Sequence, residues 1–264
     1  MKTALIGFSG FVGGTLLKQF SFDELYRSNN IQDIPGKKFD MVVCAAAPAQ
    51  KWIANREPEA DRKIVDALVH HLNAIECGKF VLISTVDVFK KPVEVTEETP
   101  VDEEGLHAYG LHRRYLEKFV QSRFPEHLIV RLPGLVGPGL RKNIVYDFHN
   151  SNNLHSIDSR NIFQFYPMVN LWGDIEIALA AELKLVHLTA APVRVEEVAR
   201  QGFGMPFQNH LEGIPVKYDM RTCHAALFGS HGSYQYSFRE AIQAIRSYAQ
   251  SEPSSLVFNP RVAS

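Results

Sequence analysis

The sequence predicts an α/β fold in which a doubly wound parallel sheet is followed by a small C-terminal lobe. A short apolar run at 2–8 ends in a glycine-rich turn and continues into a helical pattern at 11–20. Continuously apolar runs at 39–47 and 79–85 are typical of strands that helices cover on both faces. Because strands alternate with helical segments, we expect a parallel sheet with helices on both sides.

The other elements of the first half follow the same alternation. A second strand is predicted near 22–28, and a helix at 57–76 carries apolar residues at helical spacing. A further helix at about 108–122 precedes a strand that runs through 127–139 into a Gly/Pro-rich loop. The acidic, proline-containing stretch at 91–107 is interpreted as a solvated surface loop.

The second half of the sequence is less regular and richer in Asn, His, Phe and Tyr. It contains a predicted strand at 183–189, a helix at 192–203 and a terminal helix at 237–250. This change of character places a predicted domain boundary near residue 140.

We expect 1–140 to form the main domain and 141–264 to form mainly a separate lobe, some segments of which return to the main domain. A chain of 264 residues is long enough for either one large domain or a domain with a small lobe. The tail at 251–264 contains several Ser and Pro residues, and we expect contacts with the rest of the chain to hold it.

The charge balance excludes several classes of partner. The chain has 28 Lys+Arg and 29 Asp+Glu, which gives a formal net charge of -1. No global field is therefore available to attract nucleic acid or an anionic membrane surface. Gly and Ser interrupt the apolar start, so no signal peptide is predicted, and no later stretch has the length and continuity of a membrane-spanning helix.

The cysteines and histidines indicate no disulfide framework and no metal site. Cys44, Cys77 and Cys223 are an odd number at wide spacing, which is typical of reduced thiols. The histidines are scattered without the spacing of zinc ligands. We therefore expect a cytosolic protein that holds no metal ion.

Three glycines lie between the first strand and the first helix. Gly7, Gly10 and Gly13 occupy the turn GFSGFVG. Glycine lets the backbone approach a pyrophosphate closely, and a helix N-terminus offers free N–H groups and a positive dipole end. The position therefore predicts dinucleotide binding, with a purely structural turn as the alternative.

The spacing G-x-x-G-x-x-G resembles that of the extended short-chain dehydrogenase/reductase family, which comprises NAD(P)-dependent epimerases, dehydratases and reductases. Three further stretches resemble motifs of this family in the same order: ISTVDVF at 83–89, AYGLHRRYLE at 108–117 and RLPGLVGPG at 131–139. Together these motifs cover about the first 140 residues. The resemblance implies a Rossmann-type NAD(P)-binding domain at 1–140 and a substrate-binding lobe beyond it.

The resemblance also implies which residues bind the cofactor. These residues lie in the glycine turn, after the second strand, beside the adenine, after the fourth strand of the family's sheet and in the Gly-Pro loop. They are Gly7, Ser9, Gly10, Phe11, Val12, Gly13, Arg27, Ser28, Asp33, Ile34, Ala45, Ala46 and Pro133.

The end of the second strand bears on the choice between NADP and NAD. In this fold an acid at that position favours the free 2'-hydroxyl of NAD, and an arginine favours the 2'-phosphate of NADP. Arg27 and Ser28 stand there and offer a guanidinium and a hydroxyl. NADP is therefore favoured over NAD, and a surface arginine without a ligand is the alternative.

The motif AYGLHRRY predicts the catalytic residues. Proton transfer to or from the reacting oxygen requires a group such as Tyr109, if a nearby cation lowers the pKa of its hydroxyl. Positions i and i+4 share a helix face, so Tyr109 and Arg113 can both face the nicotinamide ribose. The resemblance assigns Thr85 a hydrogen bond to the substrate oxygen, and Ser84 takes that role if the register differs.

Arg113 stands where the family motif has a lysine. The guanidinium is flat, larger than an ammonium and fixed in its fork, so Arg113 can lower the pKa of Tyr109 without supporting the same proton relay. His112 and Arg114 are interpreted as surface residues. Two functions stay open: an NAD(P)-dependent oxidoreductase or epimerase, or an NAD(P)-binding regulator or scaffold with reduced or lost catalysis.

The substrate side is less well defined. Dehydratases of the family show two acids after the strand-end threonine, whereas Val86 and Asp87 follow Thr85 here. This difference argues against dehydration, and Asp87 is interpreted as structural. A nucleotide sugar or a similar carbonyl or hydroxyl compound is the expected substrate, with candidate contacts from Arg141, Lys142, Asn143, Arg160, Phe163 and Phe165.

The resemblance further implies an assembly. Family members commonly dimerise through the two long helices that match 57–76 and 108–122 in this sequence. A homodimer through these helices is therefore expected.

Overall fold

The computed structural model of the protein describes residues 1–254, so most of the tail that we expect to be held lies outside the described residues. Within this range the strands β1 to β12 are Thr3–Ile6, Glu24–Tyr26, Lys38–Cys44, Glu76–Thr85, Val93–Val95, His127–Leu132, Gly134–Val136, Ile162–Phe163, Phe165–Pro167, Leu185–His187, Val193–Arg194 and Asp219–Met220. The helices α1 to α8 are Phe11–Gln19, Lys51–Arg56, Pro58–Asn73, Ala108–Arg123, Ile144–His149, Leu171–Ala180, Val195–Glu197 and Phe238–Ser251.

A six-stranded parallel sheet forms the centre of the fold. Its strand order is β10-β6-β4-β3-β1-β2. Side chains of successive strand residues point to opposite faces, so Val42 joins an apolar layer with α3 and α4, and Val43 joins one with α1 and α6. The predicted doubly wound α/β fold is confirmed.

The sheet has fewer strands beyond β1 than the sheet of the ordinary dinucleotide-binding fold. That fold has the strand order 3-2-1-4-5-6, whereas no described strand lies outside β2 here. Residues 27–37 connect β2 directly to β3 with only the 3-10 turn Ile31–Asp33. Ala45 and Ala46 therefore follow the third strand along the chain, not the fourth.

Several predicted segments have different bounds in the structure. The helix expected at 57–76 ends at Asn73, because β4 begins at Glu76. The acidic stretch at 91–107 is mostly loop, but it contains β5, which pairs with β12. The helix expected at 192–203 begins only at Val195, after β11.

The region beyond residue 140 contributes to both parts of the molecule. Strand β10 pairs with β6 in the central sheet, and α6 packs beneath that sheet. Helices α5, α7 and α8 pack around a separate apolar cluster. Near the chain end, Glu252 accepts a hydrogen bond from the Gly139 N–H at 3.0 Å. The division into two domains stays a prediction.

A buried ion pair connects α4 to the sheet. The Glu117 carboxylate is 0% exposed and accepts hydrogen bonds from Arg131 of β6 at 2.8 and 2.9 Å and from the Ser84 hydroxyl of β4 at 2.6 Å. Arg114 adds a further hydrogen bond at 2.8 Å. Burial raises the pKa of Glu117, but these partners outweigh it and lower the pKa below its usual value.

We expect Glu117→Ala to lower the free energy of unfolding by about 3–5 kcal/mol, because the change leaves the buried Arg131 without its counterion. Chemical denaturation measures the difference. Glu103→Ala is the control, because Glu103 pairs with Lys118 of the same helix at the surface and should contribute less than about 1 kcal/mol. Equal losses for the two variants would contradict the assignment.

Candidate functional site

A cavity of about 1050 Å³ lies at the carboxyl ends of β1, β3, β4 and β6. Ligands of open α/β sheets bind at this edge. Most of the residues that the sequence predicts for the site line this cavity: Gly7, Ser9, Gly10, Phe11, Val12, Arg27, Ser28, Ala45, Ala46, Thr85, Tyr109, Arg113 and Pro133.

The glycine turn packs against the loop after β3. Gly7 has a positive φ of 91°, and a Cβ atom there would lie 2.6 Å from the Ala45 carbonyl carbon. A Cβ atom at Gly13 would lie 2.7 Å from the carbonyl carbon of Gly7. Gly13 therefore packs against the backbone of Gly7 and does not line the cavity.

The N-terminus of α1 is free to bind an anion. Gly10 is its N-cap residue, no side chain caps it, and its first turn has no acidic residue. The first N–H groups of this helix therefore keep their capacity to donate, and no carboxylate repels a phosphate. The turn fits the pyrophosphate of a dinucleotide.

Asp33 and Ile34 do not line the cavity. Asp33 is exposed at the end of the turn Ile31–Asp33, and Ile34 is fully buried in the core. Ile31 lines the cavity instead. The structure therefore does not bring Asp33 and Ile34 into the cavity lining, and their placement beside the adenine stays a prediction.

Arg27 lies directly after β2 at the cavity edge. Its guanidinium lies 5.6 Å from the centre of the Phe8 ring, and its Nε donates to Asn29 at 2.9 Å. The nearby acid, Glu24, is paired with Lys2 at 2.8 Å and with Lys37 at 2.7 Å. These lysines lower the pKa of Glu24 to about 2. An exposed cation, and no acid, therefore follows the strand.

Tyr109 is placed by the start of α4. Its N–H donates to the Asn55 side chain at 3.0 Å, and the N-cap His107 accepts from the Gly110 N–H at 3.0 Å. A Cβ atom at Gly110 would overlap the carbonyl oxygen of Asp87, so the helix packs tightly on the turn after β4. This contact places Tyr109 in the same cavity lining as Thr85.

The pKa of Tyr109 is raised, not lowered. The side chain is 7% exposed, and burial raises its pKa more than Arg113 and Thr85 lower it. Asp87 raises the pKa further, and Lys51 opposes it. The expectation that a nearby cation brings this phenol toward neutrality is corrected, because desolvation outweighs the charge.

Arg113 is buried, and its two terminal nitrogens are engaged with other residues, whereas its Nε has no hydrogen-bond partner. Its Nη1 and Nη2 donate to the two oxygens of Asp61 at 2.5 and 3.1 Å, and Nη2 also donates to the Pro48 carbonyl. Its guanidinium lies 4.2 Å from the centre of the Tyr109 ring. Arg113 thus lies beside Tyr109 as predicted, but stacks on the phenol ring and is held by a carboxylate.

His112 and Arg114 are not simple surface residues, which corrects a further expectation. His112 is buried, and its Nδ1 lies 2.6 Å from Asp61. Arg114 is partly buried and donates to Glu117 at 2.8 Å. Both side chains face packed elements because α4 is covered by α3 on one side and by the sheet on another.

The cavity is also lined by a polar cluster that sequence reasoning did not identify. Its members are Lys51, Asp87 and Tyr218. The Lys51 ammonium donates to Asp87 at 2.7 Å and to the Tyr218 hydroxyl at 3.3 Å, and Tyr218 donates to Asp87 at 3.0 Å. Burial lowers the pKa of Lys51, but Asp87 and Tyr218 raise it overall. These residues lie far apart in the sequence, so no local pattern could reveal them.

The predicted substrate contacts divide into two groups. Arg141, Lys142, Phe163 and Phe165 line the cavity, and Asn143 does so while its side chain caps α5. Arg160 does not line the cavity, because Asp158 and the Leu211 carbonyl hold its guanidinium at 2.7 and 2.6 Å. Its assignment as a substrate contact is therefore corrected.

The sequence belongs to a known family. A model of the NAD dependent epimerase/dehydratase family matches residues 19–174, which is more than half of the chain. The chain belongs to this family. The resemblance inferred from its four motifs is thereby confirmed. No curated protein sequence matches the chain significantly.

Solved structures of NAD(P)-binding and sugar-nucleotide enzymes share the fold. A dTDP-4-dehydrorhamnose reductase from Clostridium acetobutylicum is 18% identical, with 95% of this chain and 99% of that chain covered and a TM-score of 0.65. RMD from Pseudomonas aeruginosa, complexed with NADPH, is 18% identical at 95% and 100% coverage, with a TM-score of 0.66. A UDP-glucose 4-epimerase from Thermotoga maritima is 15% identical at 95% and 99% coverage, with a TM-score of 0.68.

The described residues contain no candidate for a metal site or a membrane span. Between residues 1 and 254, no three His, Cys, Asp or Glu side chains cluster as metal ligands. No helix in the same range is long and apolar enough to cross a membrane.

We expect Gly13→Ala to destabilise the protein by about 1–3 kcal/mol, because the added methyl group overlaps the Gly7 carbonyl and forces the turn apart. Gly14→Ala is the matched control on the same helix, since its Cβ would meet only the Phe8 carbonyl oxygen at 3.6 Å. Thermal and denaturant unfolding measure both. A Gly13→Ala variant as stable as Gly14→Ala would contradict the packing of the turn.

Proposed function

We propose that the protein is an NAD(P)-dependent oxidoreductase or epimerase that acts on a nucleotide sugar or a similar carbonyl or hydroxyl compound. The observation that carries this proposal is that the glycine turn, Thr85 and Tyr109 open into one cavity. Family membership supports it. The structures that share the fold include a dTDP-4-dehydrorhamnose reductase and a UDP-glucose 4-epimerase.

The cofactor-binding half of the cavity is formed by the glycine turn and the alanines after β3. The N–H groups at the start of α1 bind the pyrophosphate, and Ser9 adds a hydroxyl beside them. Ala45 and Ala46 present small side chains that leave room for flat rings. When bound, the nicotinamide supplies or accepts the hydride.

NADP is the favoured cofactor in this proposal. Arg27 offers a guanidinium with free donors at the end of β2, and Ser28 offers a hydroxyl beside it. The guanidinium fork binds a phosphate with two charge-assisted hydrogen bonds. RMD, one of the proteins that share the fold, is complexed with NADPH in its structure.

Tyr109 and Thr85 perform the proton transfer. The Tyr109 hydroxyl holds the proton that moves to or from the substrate oxygen, and the Thr85 hydroxyl orients the same oxygen. Arg113 keeps the phenol ring in place by stacking on it. Tyr109 therefore enters the reaction with a fixed ring and a hydroxyl that borders the cavity.

The substrate half of the cavity suits an anionic compound with a ring. Lys51, Arg141 and Lys142 line it with positive side chains, and Phe163 and Phe165 add aromatic faces. These groups match the diphosphate and the rings of a nucleotide sugar. A dehydratase is disfavoured, because an apolar valine follows Thr85 where the family's dehydratases carry an acid.

The proposal includes a homodimer through α3 and α4 and a cytosolic location. The homodimer rests on the family resemblance, and the cytosolic location rests on the reduced state expected of the cysteines. Light scattering after gel filtration tests the assembly, and a monomer at micromolar concentration would contradict it.

Arg27→Ala should weaken NADP(H) binding roughly ten- to a hundredfold, since charge-assisted hydrogen bonds contribute about 1.5–3 kcal/mol. NAD(H) binding should change much less, because that cofactor has no 2'-phosphate. Titration calorimetry measures both. Arg56→Ala is the control, because Arg56 stacks on Trp52 as Arg27 stacks on Phe8 but lies outside the cavity lining. Equal weakening of the two cofactors would refute the role of Arg27.

Tyr109→Phe should reduce turnover by about 10²- to 10⁴-fold, because the phenol proton is lost from the reaction. Cofactor affinity should stay close to wild type. Nicotinamide absorbance, followed with a panel of carbonyl compounds and sugar nucleotides, measures the rate. Tyr115→Phe on the same helix is the control, because Tyr115 stacks with Arg62 outside the cavity lining. Cofactor binding without turnover in the wild type would favour a regulator or scaffold.

A further inference from the structure

The counterion of Arg113 is itself buried. Asp61 is 5% exposed and Arg113 is 3% exposed, and the carboxylate faces the guanidinium with both oxygens. His112 lies on the same carboxylate at 2.6 Å. Such a fork-to-fork pair fixes the plane of the guanidinium as well as its position. Asp61 therefore determines where the positive charge beside Tyr109 lies.

The pair also limits the field that reaches Tyr109. The negative charge of Asp61 opposes the field of the guanidinium at the phenol, so Arg113 lowers the pKa of Tyr109 less than an unpaired cation would. A lysine at position 113 would place a point charge on a flexible stem and would not span both Asp61 oxygens. The arginine and Asp61 thus form one neutral unit that stacks on the phenol ring.

The other charged groups around Tyr109 are compensated in the same way. Lys51 of α2 is paired with Asp87 of the turn after β4 at 2.7 Å. His107, whose ring centre lies 6.3 Å from that of Tyr109, precedes α4, and burial lowers the pKa of its imidazole. Arg113 and Lys51, the two cations that lower the pKa of Tyr109, are therefore each paired with a carboxylate. Lys142 also lines the cavity, where it donates to the Ala49 carbonyl.

On the basis of the proposed function, we infer that Asp61 is a positioning residue that keeps Tyr109 protonated and directs the site toward carbonyl reduction and away from epimerisation. In the reduction, the carbonyl carbon gains a hydride from the reduced nicotinamide cofactor and its π electron pair moves to the oxygen. That oxygen takes the proton of Tyr109, so the substrate is reduced and the cofactor is oxidised. An epimerase of this type begins by oxidising an alcohol, which requires the phenolate as proton acceptor.

The phenol can be titrated directly in the cofactor-free protein. In protein labelled with ¹³C at tyrosine Cζ, the Tyr109 signal is identified by its loss in Tyr109→Phe. It should titrate above the ordinary value of 10.0 in the wild type. Asp61→Asn should lower its pKa by about one unit or more, because Arg113 then carries an uncompensated charge. Arg113→Gln should raise it.

Asp158→Asn is the matched control, because Asp158 is equally buried and binds the Arg160 guanidinium outside the cavity lining. It should leave the Tyr109 pKa unchanged. A wild-type phenol that titrates near neutrality, or one that has the same pKa in wild type and folded Asp61→Asn, overturns the inference. If Asp61→Asn does not fold, the wild-type and Arg113→Gln titrations decide.

Kinetics give a second readout. The rate of carbonyl reduction by the wild type should stay constant up to about pH 10, whereas the rate of Asp61→Asn should begin to fall at least one unit lower. The change should appear in kcat more than in KM. A profile unchanged in Asp61→Asn would contradict the inference. Absence of NAD(P)(H) binding would instead refute the proposed function, and the phenol titration would still test Asp61.

Discussion

Helix α4 is packed between α3 and the sheet with charged side chains on its buried faces, and the structure depends on each charge having a partner there. Arg113 meets Asp61 of α3, and Glu117 meets Arg131 of β6. A buried charge without a partner costs several kcal/mol, so these pairs fix the position of α4 along and around its own axis. The position of Tyr109 follows, because it lies in the first turn of that helix.

The same constraint shapes the chemistry of the cavity. Apolar packing alone would place a tyrosine near Thr85, but it would leave open which charges act on the phenol. Here the two cations that lower the pKa of Tyr109, Arg113 and Lys51, are paired with carboxylates, and burial then dominates the pKa of the hydroxyl. A group of this kind is suited to donate a proton, because it remains protonated across the physiological range.

The β2 side of the sheet shows a second departure from the ordinary dinucleotide-binding fold. One strand-and-helix unit is missing between β2 and β3, and a short connection replaces it. Arg27, Ser28 and Ile31 of this connection therefore line the cavity. The glycine turn does not depend on the missing unit, because it is packed against the loop after β3.

The sequence by itself determined the features that depend on local pattern. Apolar runs that alternate with helical spacing predicted the parallel sheet, and the three glycines between a strand and a helix predicted the phosphate-binding turn. The resemblance of the ordered motifs to the family placed Thr85 and Tyr109 in one site. The sheet and the glycine turn need only the period of the chain and the rules for parallel sheets.

Only the tertiary structure decided which side chains compensate one another. Asp61 faces Arg113, and Lys51 faces Asp87 and Tyr218. These partners are far apart in the sequence, so no periodic pattern connects them. The exposure of Asp33, which the family resemblance placed beside the adenine, was likewise visible only in the structure. Charge pairing and desolvation depend on the packing of separate elements, so the replacement of the motif lysine by Arg113 became interpretable only with Asp61 behind it.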